Sequence, residues 1–553
     1  MRRLRAQVRD RVAHALSCDP IDVVVEVPRD TANGDLAVPC FKFGGNPAET
    51  AQRLADLWEN DDHASASAAG PFLNVTFDRP AWAGDLVPLV LGEGRRYGAD
   101  ESGAGKTAVI DFSSPNIAKP FSVGHLRSTV IGAAIGRLLR FRGWTVQGIN
   151  HLGDWGSQFG KMLAAWERWG EDDALADRGV HHLLDLYVRY HEIEETDEDL
   201  RTLARTRQIA LEQDPEGDER ALWRRFTEIS LAEFQRVYDR LDVSFEFTRG
   251  ESHYIPELPA AMERLQEARI VSRSQGALIV DLGDDMPPCL LETADGTTLY
   301  ATRDLAAIFS RWDEFKFDEA LYVVGSEQRL HFRQLAEVLE QGSFEAAGRI
   351  RHIDFGLIRG LSTRLGKVVF LDEVLDRAVQ RVATLIAEKN PDLPLLDEIA
   401  EQVGIGAVVF HDLKHQRIKD ADFDWDRVLD FEGDTGPYCQ YTHARLSSIL
   451  AKAVAEPDLV AADWAALGEC GAVLAGIEGL GEAVDAAVSG HEPSVVAGWC
   501  LALCRDVNGW YHAHRVLDQE PSVTAARLGL VAAARQALAN GLGLLGVASP
   551  EAM

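Results

Sequence analysis

The sequence predicts a multidomain α/β plus all-α chain: a parallel-sheet domain with a helical insertion, a small α+β unit before it and a C-terminal helical bundle. Three observations predict it. Between Lys106 and Asn150 a buried-strand pattern, a helix pattern and a second strand follow one another, which reads as a βαβ unit. From about 165 to 275 mostly charged helices such as "DLRTLARTRQIALEQ" interrupt that domain. From Ile399 to Met553 the pattern is helical, rich in Ala and Leu, with no strand alternation.

The elements follow in order. A helix to about Leu16 precedes an extended "DVVVEVP", and "NPAETAQRLADLW" carries proline in its first turn, as helix starts do. Low-complexity "ASASAA" leads into "GPFLNVTF", a short alternating strand, and "RRYGADESGAGKT" is a linker. "TAVIDF" is a buried strand, "VGHLRSTVIGAAIGRLLRF" a helix closed by Gly143, and "WTVQGIN" the next strand. Apolar strands return at "ALIVDL" and "EALYVVG", with a helix between them from Arg303. The expected units are 1–95, 106–390 with its insertion near 165–275, and 399–553.

Composition narrows the classes. The 553 residues, 46% of them hydrophobic, supply several cores, three or four domains' worth. There is no apolar run long enough for a membrane span, and the basic "MRRLRAQVRDRVAHAL" lacks the apolar centre of a signal peptide. Seven scattered cysteines without a Cys-x-x-Cys pair argue for buried thiols in a reducing cytoplasm, against a disulfide scaffold and against structural zinc. A net charge of −31 confines any nucleic-acid face to a local patch. Salt adaptation and a GC-rich source both produce so acidic and Lys-poor a composition.

Three motif look-alikes fail on context. "GAGKT" at 103–107 has Asp100 where a P-loop needs glycine, and a strand follows it instead of a helix. "GLGLLG" at 541–546 follows no strand, and "DADFDWDRVLDFE" lacks the glycine of a calcium loop.

The informative stretch is "SSPNIAKPFSVGHLRST" at 113–129, where a strand ends and a helix begins. A helix N-terminus presents unpaired N–H groups and a partial positive charge, and in open α/β folds ligands lie beyond the strands' carboxyl ends. Lys119 adds a mobile charge and His125 lies in the first helical turn, both able to hydrogen-bond oxygens whose charge shifts during attack at phosphorus.

This string resembles the HIGH signature of class I aminoacyl-tRNA synthetases, in the form found in arginyl-tRNA synthetases. Further resemblances follow in order: "NHLGDWGSQFG" at 150–160, "TLYATRDLA" at 298–306, "YVVGSEQRLHF" at 322–332, "LSTRLGKVVFLDEVL" at 361–375, "FEGDTGPYCQYTHAR" at 431–445 and "VNGWYHAHRVL" at 507–517. The likeness runs from about residue 30 to Met553. It departs at two places. Ser122 stands where the first HIGH histidine belongs, and serves either as an N-cap or as an ATP contact. "LSTRLG" lacks the usual KMSKS lysine, whose work Lys119 takes over in relatives with the same departure.

The resemblance implies a Rossmann-type catalytic domain, a tRNA-elbow unit before it and an anticodon-binding bundle after it. It implies ATP-dependent ligation of L-arginine to tRNA(Arg) through arginyl-adenylate, with Mg²⁺ accompanying the nucleotide. Lys119, His125 and Ser122 carry the catalytic expectation. Pro115, Asn116, Gly124, His125, Ser362, Thr363, Arg364 and Lys367 are the expected ATP contacts, and Asp111, Ser113, Asn116, Tyr300, Asp304 and Gln328 the arginine contacts. Expected tRNA contacts are Phe72, Asn74, Tyr511 and Met553, with Phe72 equally readable as a core residue. His443 and Arg445 are read as packing groups. A cytoplasmic monomer without a resident metal completes the expectation.

The arginine assignment also has a physical basis. A guanidinium has five donors in one plane and no acceptor, so its pocket needs oxygens at fixed angles. Tyr300 and Asp304, four apart, share a helix face and supply them. Two other classes compete: a small-molecule nucleotidyltransferase, which needs neither the bundle nor this pair, and a non-catalytic RNA-binding paralogue, which would not keep Lys119, His125, Asp304 and Gln328 together.

Overall fold

The computed structural model describes residues 1–553 except Arg29, 59–62, Asp295, Thr297, 361–368 and 454–455. In the first unit the helix Arg2–Leu16 buries Leu4, Val8 and Val12, one stripe at four-residue spacing. Its sheet is antiparallel: β1 (Leu36–Pro39), β2 (Ala64–Ala69) and β3 (Phe72–Phe77) lie in the order β1-β3-β2. "ASASAA" is therefore a strand, and no mere lead-in. Its residues alternate between the two faces, but alanine is too small to give that alternation a strong hydrophobic signal. "DVVVEVP" makes only an isolated bridge, Glu26 with Ala37.

The central sheet contains β4 (Thr107–Asp111), β5 (Thr145–Asn150), β6 (Phe247–Thr248), β10 (Glu319–Tyr322) and β11 (Ile350–His352). All its pairings are parallel, in the order β11-β10-β4-β5-β6. Ala108, Val109 and Ile110 of β4 are almost fully buried, which is why its sequence does not alternate. The chain leaves β4 for β5 and β6 on one side, then returns to place β10 and β11 on the other. The direction reverses between β4 and β10, with Asp111 opposite Tyr322 at the carboxyl ends.

β7 (Val271–Ser274), β8 (Ala277–Val280) and β9 (Cys289–Glu292) form a separate antiparallel sheet. Both strands and the helix between them are present, but "ALIVDL" belongs to this separate sheet and "EALYVVG" to the central one, a choice open to any buried apolar strand. The following helix is Tyr300–Phe315, starting three residues earlier than Arg303.

Helices Ser157–Trp169, Val180–Ile193, Glu198–Gln213 and Asp218–Arg240 form the insertion. Beyond Leu371–Lys389 the chain is predominantly helical to Pro521–Leu544, and "GLGLLG" lies where that last helix ends. The bundle returns to the first unit and the linker after it: Trp82 Nε1 donates to Glu478 (2.9 Å) and the Tyr97 hydroxyl to the Ile477 carbonyl (3.1 Å).

Candidate active site

The carboxyl end of β4 turns through strained backbone into the helix Val123–Phe141. Ser113, Ser114 and Ala118 have φ of 72°, 51° and 61°, a left-handed region that L-residues other than Asn and Asp seldom adopt. Three such residues within six persist only because neighbours hold them, and such clusters mark functional turns. Here the Ser113 N–H donates to Ser128 Oγ (2.9 Å), and the Ser113 hydroxyl lies 2.8 Å from both the Tyr238 and Thr129 hydroxyls. The Ala118 N–H donates to Ser230 Oγ (3.0 Å). Tyr238 and Ser230 belong to the insertion helix Asp218–Arg240, so the inserted helices brace this turn.

Pro115 and Ile117 exchange backbone hydrogen bonds with Gly153 of "HLGDWG" (both 3.1 Å). A Cβ on Gly153 would lie 2.1 Å from Asn116 Oδ1, so glycine is required for the Asn116 amide to fold over it. Gly153→Ala is expected to displace Asn116 and lower stability by roughly 1–3 kcal/mol through overpacking. A thermal melt reads this, and an unchanged melting temperature contradicts it.

Ser122 is the N-cap of the helix and His125 its third residue, in a capping box whose returning arm is an imidazole. The Ser122 N–H donates to His125 Nδ1 (3.2 Å), and the Ser122 hydroxyl lies at the same distance from that nitrogen. With Nδ1 accepting, the neutral ring carries its proton on Nε2. Burial, with the nearby Lys119 charge adding to it, lowers the His125 pKa to about 4, so the ring is neutral at pH 7. Lys119 Nζ sits 4.6 Å above the Tyr187 ring of the insertion. Gly124 has neither a positive φ nor a crowded face: a Cβ there would meet only Ser122 Oγ, at 3.4 Å. Helix packing gives no reason for glycine at that position, whereas close approach of a ligand to the backbone does.

Ser362, Thr363, Arg364 and Lys367 lie outside the described residues. The flank that follows their segment is bound to the junction. The Val123 N–H donates to the Val369 carbonyl (3.0 Å) and the Leu371 N–H to the Phe121 carbonyl (2.9 Å). On the other side Arg127 donates to the carbonyls of Gly356 (2.9 Å) and Lys419 (2.8 Å).

Asp111 has partners on both oxygens: Arg311 Nη2 at 2.8 Å and the Ser114 hydroxyl at 3.0 Å. Arg311 is fully buried, and its Nε also donates to the Tyr254 hydroxyl (3.2 Å). Sequence reasoning missed Arg311, although it falls seven residues after Asp304 and so on the same helical stripe. That stripe runs from Tyr300 (70% exposed) through Asp304 to Arg311 over the end of β4, about 10 Å from Asp304 to Arg311 along the axis. Asp304 Oδ2 is held by His331 Nε2 at 2.6 Å, a second missed residue. Gln328 is exposed at the end of the turn Ser326–Gln328 that follows β10. Arg311 Nη1, the Tyr322 hydroxyl and Asn150 Oδ1 are buried with no hydrogen-bond partner among the described residues, a polar floor at the ends of β10, β4 and β5.

Elsewhere, Phe72 is half-buried with the exposed Phe41 edge-on at 5.6 Å, whereas Asn74 is buried in the middle strand, in register with Ala37 and Ser67. Tyr511 is half-buried in the last turn of the helix Ser494–Ala513. Met553 lines a cavity of about 590 Å³ together with Tyr441, Arg445, Asn508 and His512. His443 does pack: its Nδ1–H donates to the Pro550 carbonyl (2.9 Å). Arg445 instead faces the cavity, over the Tyr441 ring at 4.8 Å.

Comparison with known proteins places these features in context. Residues 86–425 match the family model for the catalytic domain of class I (R) tRNA synthetases, residues 439–553 the DALR anticodon binding domain, and residues 2–77 the arginyl tRNA synthetase N terminal domain. An arginine–tRNA ligase of Exiguobacterium sibiricum is 43% identical over 99% of both chains. That of Clostridium perfringens is 40% identical over 97% of both. The arginyl-tRNA synthetase of Thermus thermophilus superposes with a TM-score of 0.82 at 27% identity, covering 100% of each chain.

Proposed function

Because the chain belongs to the arginyl-tRNA synthetases of class I and is an arginine–tRNA ligase, we propose that its 113–125 junction activates arginine, with His125 and Lys119 as the groups that stabilise the reacting phosphate. ATP, arginine and tRNA(Arg) are its substrates. The observation that carries the reading is the bond from the Ser122 N–H to His125 Nδ1. It leaves a neutral imidazole with its proton on Nε2, beside the unobstructed backbone of Gly124.

The arginine carboxylate attacks the α-phosphorus of ATP, the bond to the bridging oxygen breaks, and pyrophosphate leaves. Negative charge grows on the α-phosphoryl and bridging oxygens. His125 donates a hydrogen bond there and Lys119 contributes charge; no enzyme nucleophile is needed, so positioning and electrostatics carry the rate. Ser122 acts chiefly through His125, by holding its tautomer. Pro115, Asn116 and Gly124 shape the ATP site, with Ser362, Thr363, Arg364 and Lys367 closing over it. The bonds of Val369 and Leu371 to the junction support that closure. Mg²⁺ would travel with the nucleotide. Phosphate oxygens are the hard ligands that Mg²⁺ prefers.

Asp304, oriented by His331, accepts from the substrate guanidinium, with Tyr300 as a wall and Gln328 as a further acceptor. Asp111 and Ser113 act from beneath: their side chains are tied to Arg311 and Tyr238, and they set the turn that presents Asn116. On the RNA side, Phe72 meets the tRNA elbow with Asn74 supporting it, while Tyr511 and Met553 belong to the anticodon face. This reading divides the chain into an elbow unit over 1–95, a catalytic unit over 106–390 with its insertion near 165–275, and an anticodon unit over 399–553. We place it in the cytoplasm as a monomer; no described helix is long and apolar enough to cross a membrane.

The test is arginine-dependent consumption of ATP with tRNA(Arg) present, in wild type and Asp304→Asn. The variant is expected to raise the KM for arginine about 10- to 100-fold, the loss of a charge-assisted hydrogen bond of roughly 1.5–3 kcal/mol. The KM for ATP should stay unchanged. An unaltered KM for arginine would remove Asp304 from the pocket.

A further inference from the structure

Beside the turn that carries Gln328, a cavity of about 290 Å³ opens between β11 and the helix Arg329–Gln341. Its lining includes Arg329, Arg333, Arg351, His352 and Asp354. In a chain of net charge −31 this composition stands apart. Its one carboxylate, Asp354, is already shared by Arg329 and by Arg417 Nη1 (2.8 Å). Among the described residues Arg351 donates only to the carbonyls of Gly348 (2.7 Å) and Ile350 (3.1 Å). Arg333 is exposed and makes no ion pair among the described residues. Glu337 follows Arg333 by one helical turn, but its carboxylate accepts from Gln341 (3.4 Å). The floor is Phe332, with the His352 ring stacked on it at 4.6 Å and 25°. Burial lowers the His352 pKa, so at pH 7 it adds a flat neutral surface to the cationic rim.

The position is as telling as the charge. All five strands of the central sheet are parallel, so the end of β11 and the start of the Arg329–Gln341 helix lie on the rim that also carries the end of β4 and the 113–125 junction. An RNA whose 3′ end enters that junction must cross this rim. Repulsion from the acidic remainder of the surface would oppose it everywhere except where carboxylates are absent or neutralised.

We propose that the cavity lined by Arg329, Arg333 and Arg351 binds backbone phosphates of the substrate tRNA near its acceptor end. This rests on the reading of the junction as the aminoacylation site. The ligand chemistry is a phosphate oxyanion, and its source is the RNA backbone, with free pyrophosphate the alternative that the experiment separates. Guanidinium groups suit it because each can place two N–H donors on one phosphate, and such contacts position an RNA without reading its sequence.

The experiment uses the full chain with Arg333→Gln and the double variant R333Q/R351Q. Binding of tRNA(Arg) is measured from about 50 to 200 mM KCl, the range over which phosphate contacts weaken. Inhibition by pyrophosphate is measured alongside. Each lost phosphate contact should reduce the slope of log Kd against log salt by roughly 0.7–0.9. The double variant should bind tRNA at least about 10-fold more weakly at the lowest salt, with the KM values for ATP and arginine unchanged. Arg333→Gln alone, at an exposed side chain without an ion pair, should give about half the slope change and an unaltered melting temperature. Wild-type tRNA affinity and salt slope in both variants would overturn the proposal, as would a change confined to pyrophosphate inhibition. If wild type itself fails to charge tRNA(Arg), the failure lies with the reading of the junction. Normal charging by wild type with unaltered RNA binding by the variants condemns the cavity alone.

Discussion

His125→Ala is expected to slow arginyl-adenylate formation roughly 10²- to 10³-fold, the usual effect of removing one donor aimed at developing negative charge. The KM for ATP should move far less, because the ring is needed most when the phosphoryl oxygens gain charge. The fold should survive: losing the ring strands no charge, and its backbone partner, the Ser122 N–H, can turn to solvent. Single-turnover adenylate formation with saturating tRNA is the measurement, and a rate within a few-fold of wild type removes His125 from the mechanism. The pH profile provides a second check. With the ring held down to about 4, the rate should show no acid limb from this group until the pH approaches that value. There the ring gains its second proton and can no longer accept from Ser122. The same shift has a stability consequence. Unfolded histidine takes up its proton near pH 6.5, before the folded ring does, so acidification from about 6.5 towards 4 weakens the fold through this group. Above about 6.5 it contributes no pH dependence.

Arg127→Met is expected to be among the most destabilising single changes, by roughly 3–5 kcal/mol. Arg127 and Asp412 are each 2% exposed and paired at 2.8 Å, joining the helix that bears His125 to the helix Leu396–Leu413. Burial raises the Asp412 pKa while Arg127 opposes that rise. Removing the guanidinium leaves a dry carboxylate and also frees the carbonyls of Gly356 and Lys419. Adding Asp412→Leu removes the stranded charge, so the double variant should recover much of the loss, since apolar pairs of similar volume often replace buried ion pairs without penalty. Chemical denaturation of the two single variants and the double gives the coupling directly. A double variant no more stable than Arg127→Met would show that the carbonyl bonds, and not the ion pair, dominate.

Much of the site is legible in local pattern. The strand end at Asp111, the helix start at Ser122 and the positions of Lys119 and His125 follow from short-range signals: a buried apolar run, a capping serine and a helical period. Even so, the imidazole arm of the capping box was not anticipated, because capping rules look for Glu or Gln three residues on. Phe72 and Asn74 are near neighbours in one strand, yet one is half-exposed and the other buried, a distinction set by strands on both sides of β3. The apolar run "ALIVDL" shows the same limit: its composition says strand, and nothing within it says which sheet.

The sequence by itself determined the three-part architecture, the parallel sheet and the strand-to-helix turn, because these rest on periodicity and on residues adjacent along the chain. Tertiary structure decided who holds that turn in place. Tyr238 lies 125 residues from Ser113, Arg311 200 from Asp111, and Asp412 285 from Arg127. Each pair exists because burial strips water from polar groups and makes an internal partner obligatory. Which partner arrives is settled by how the helices pack, and no local pattern encodes that.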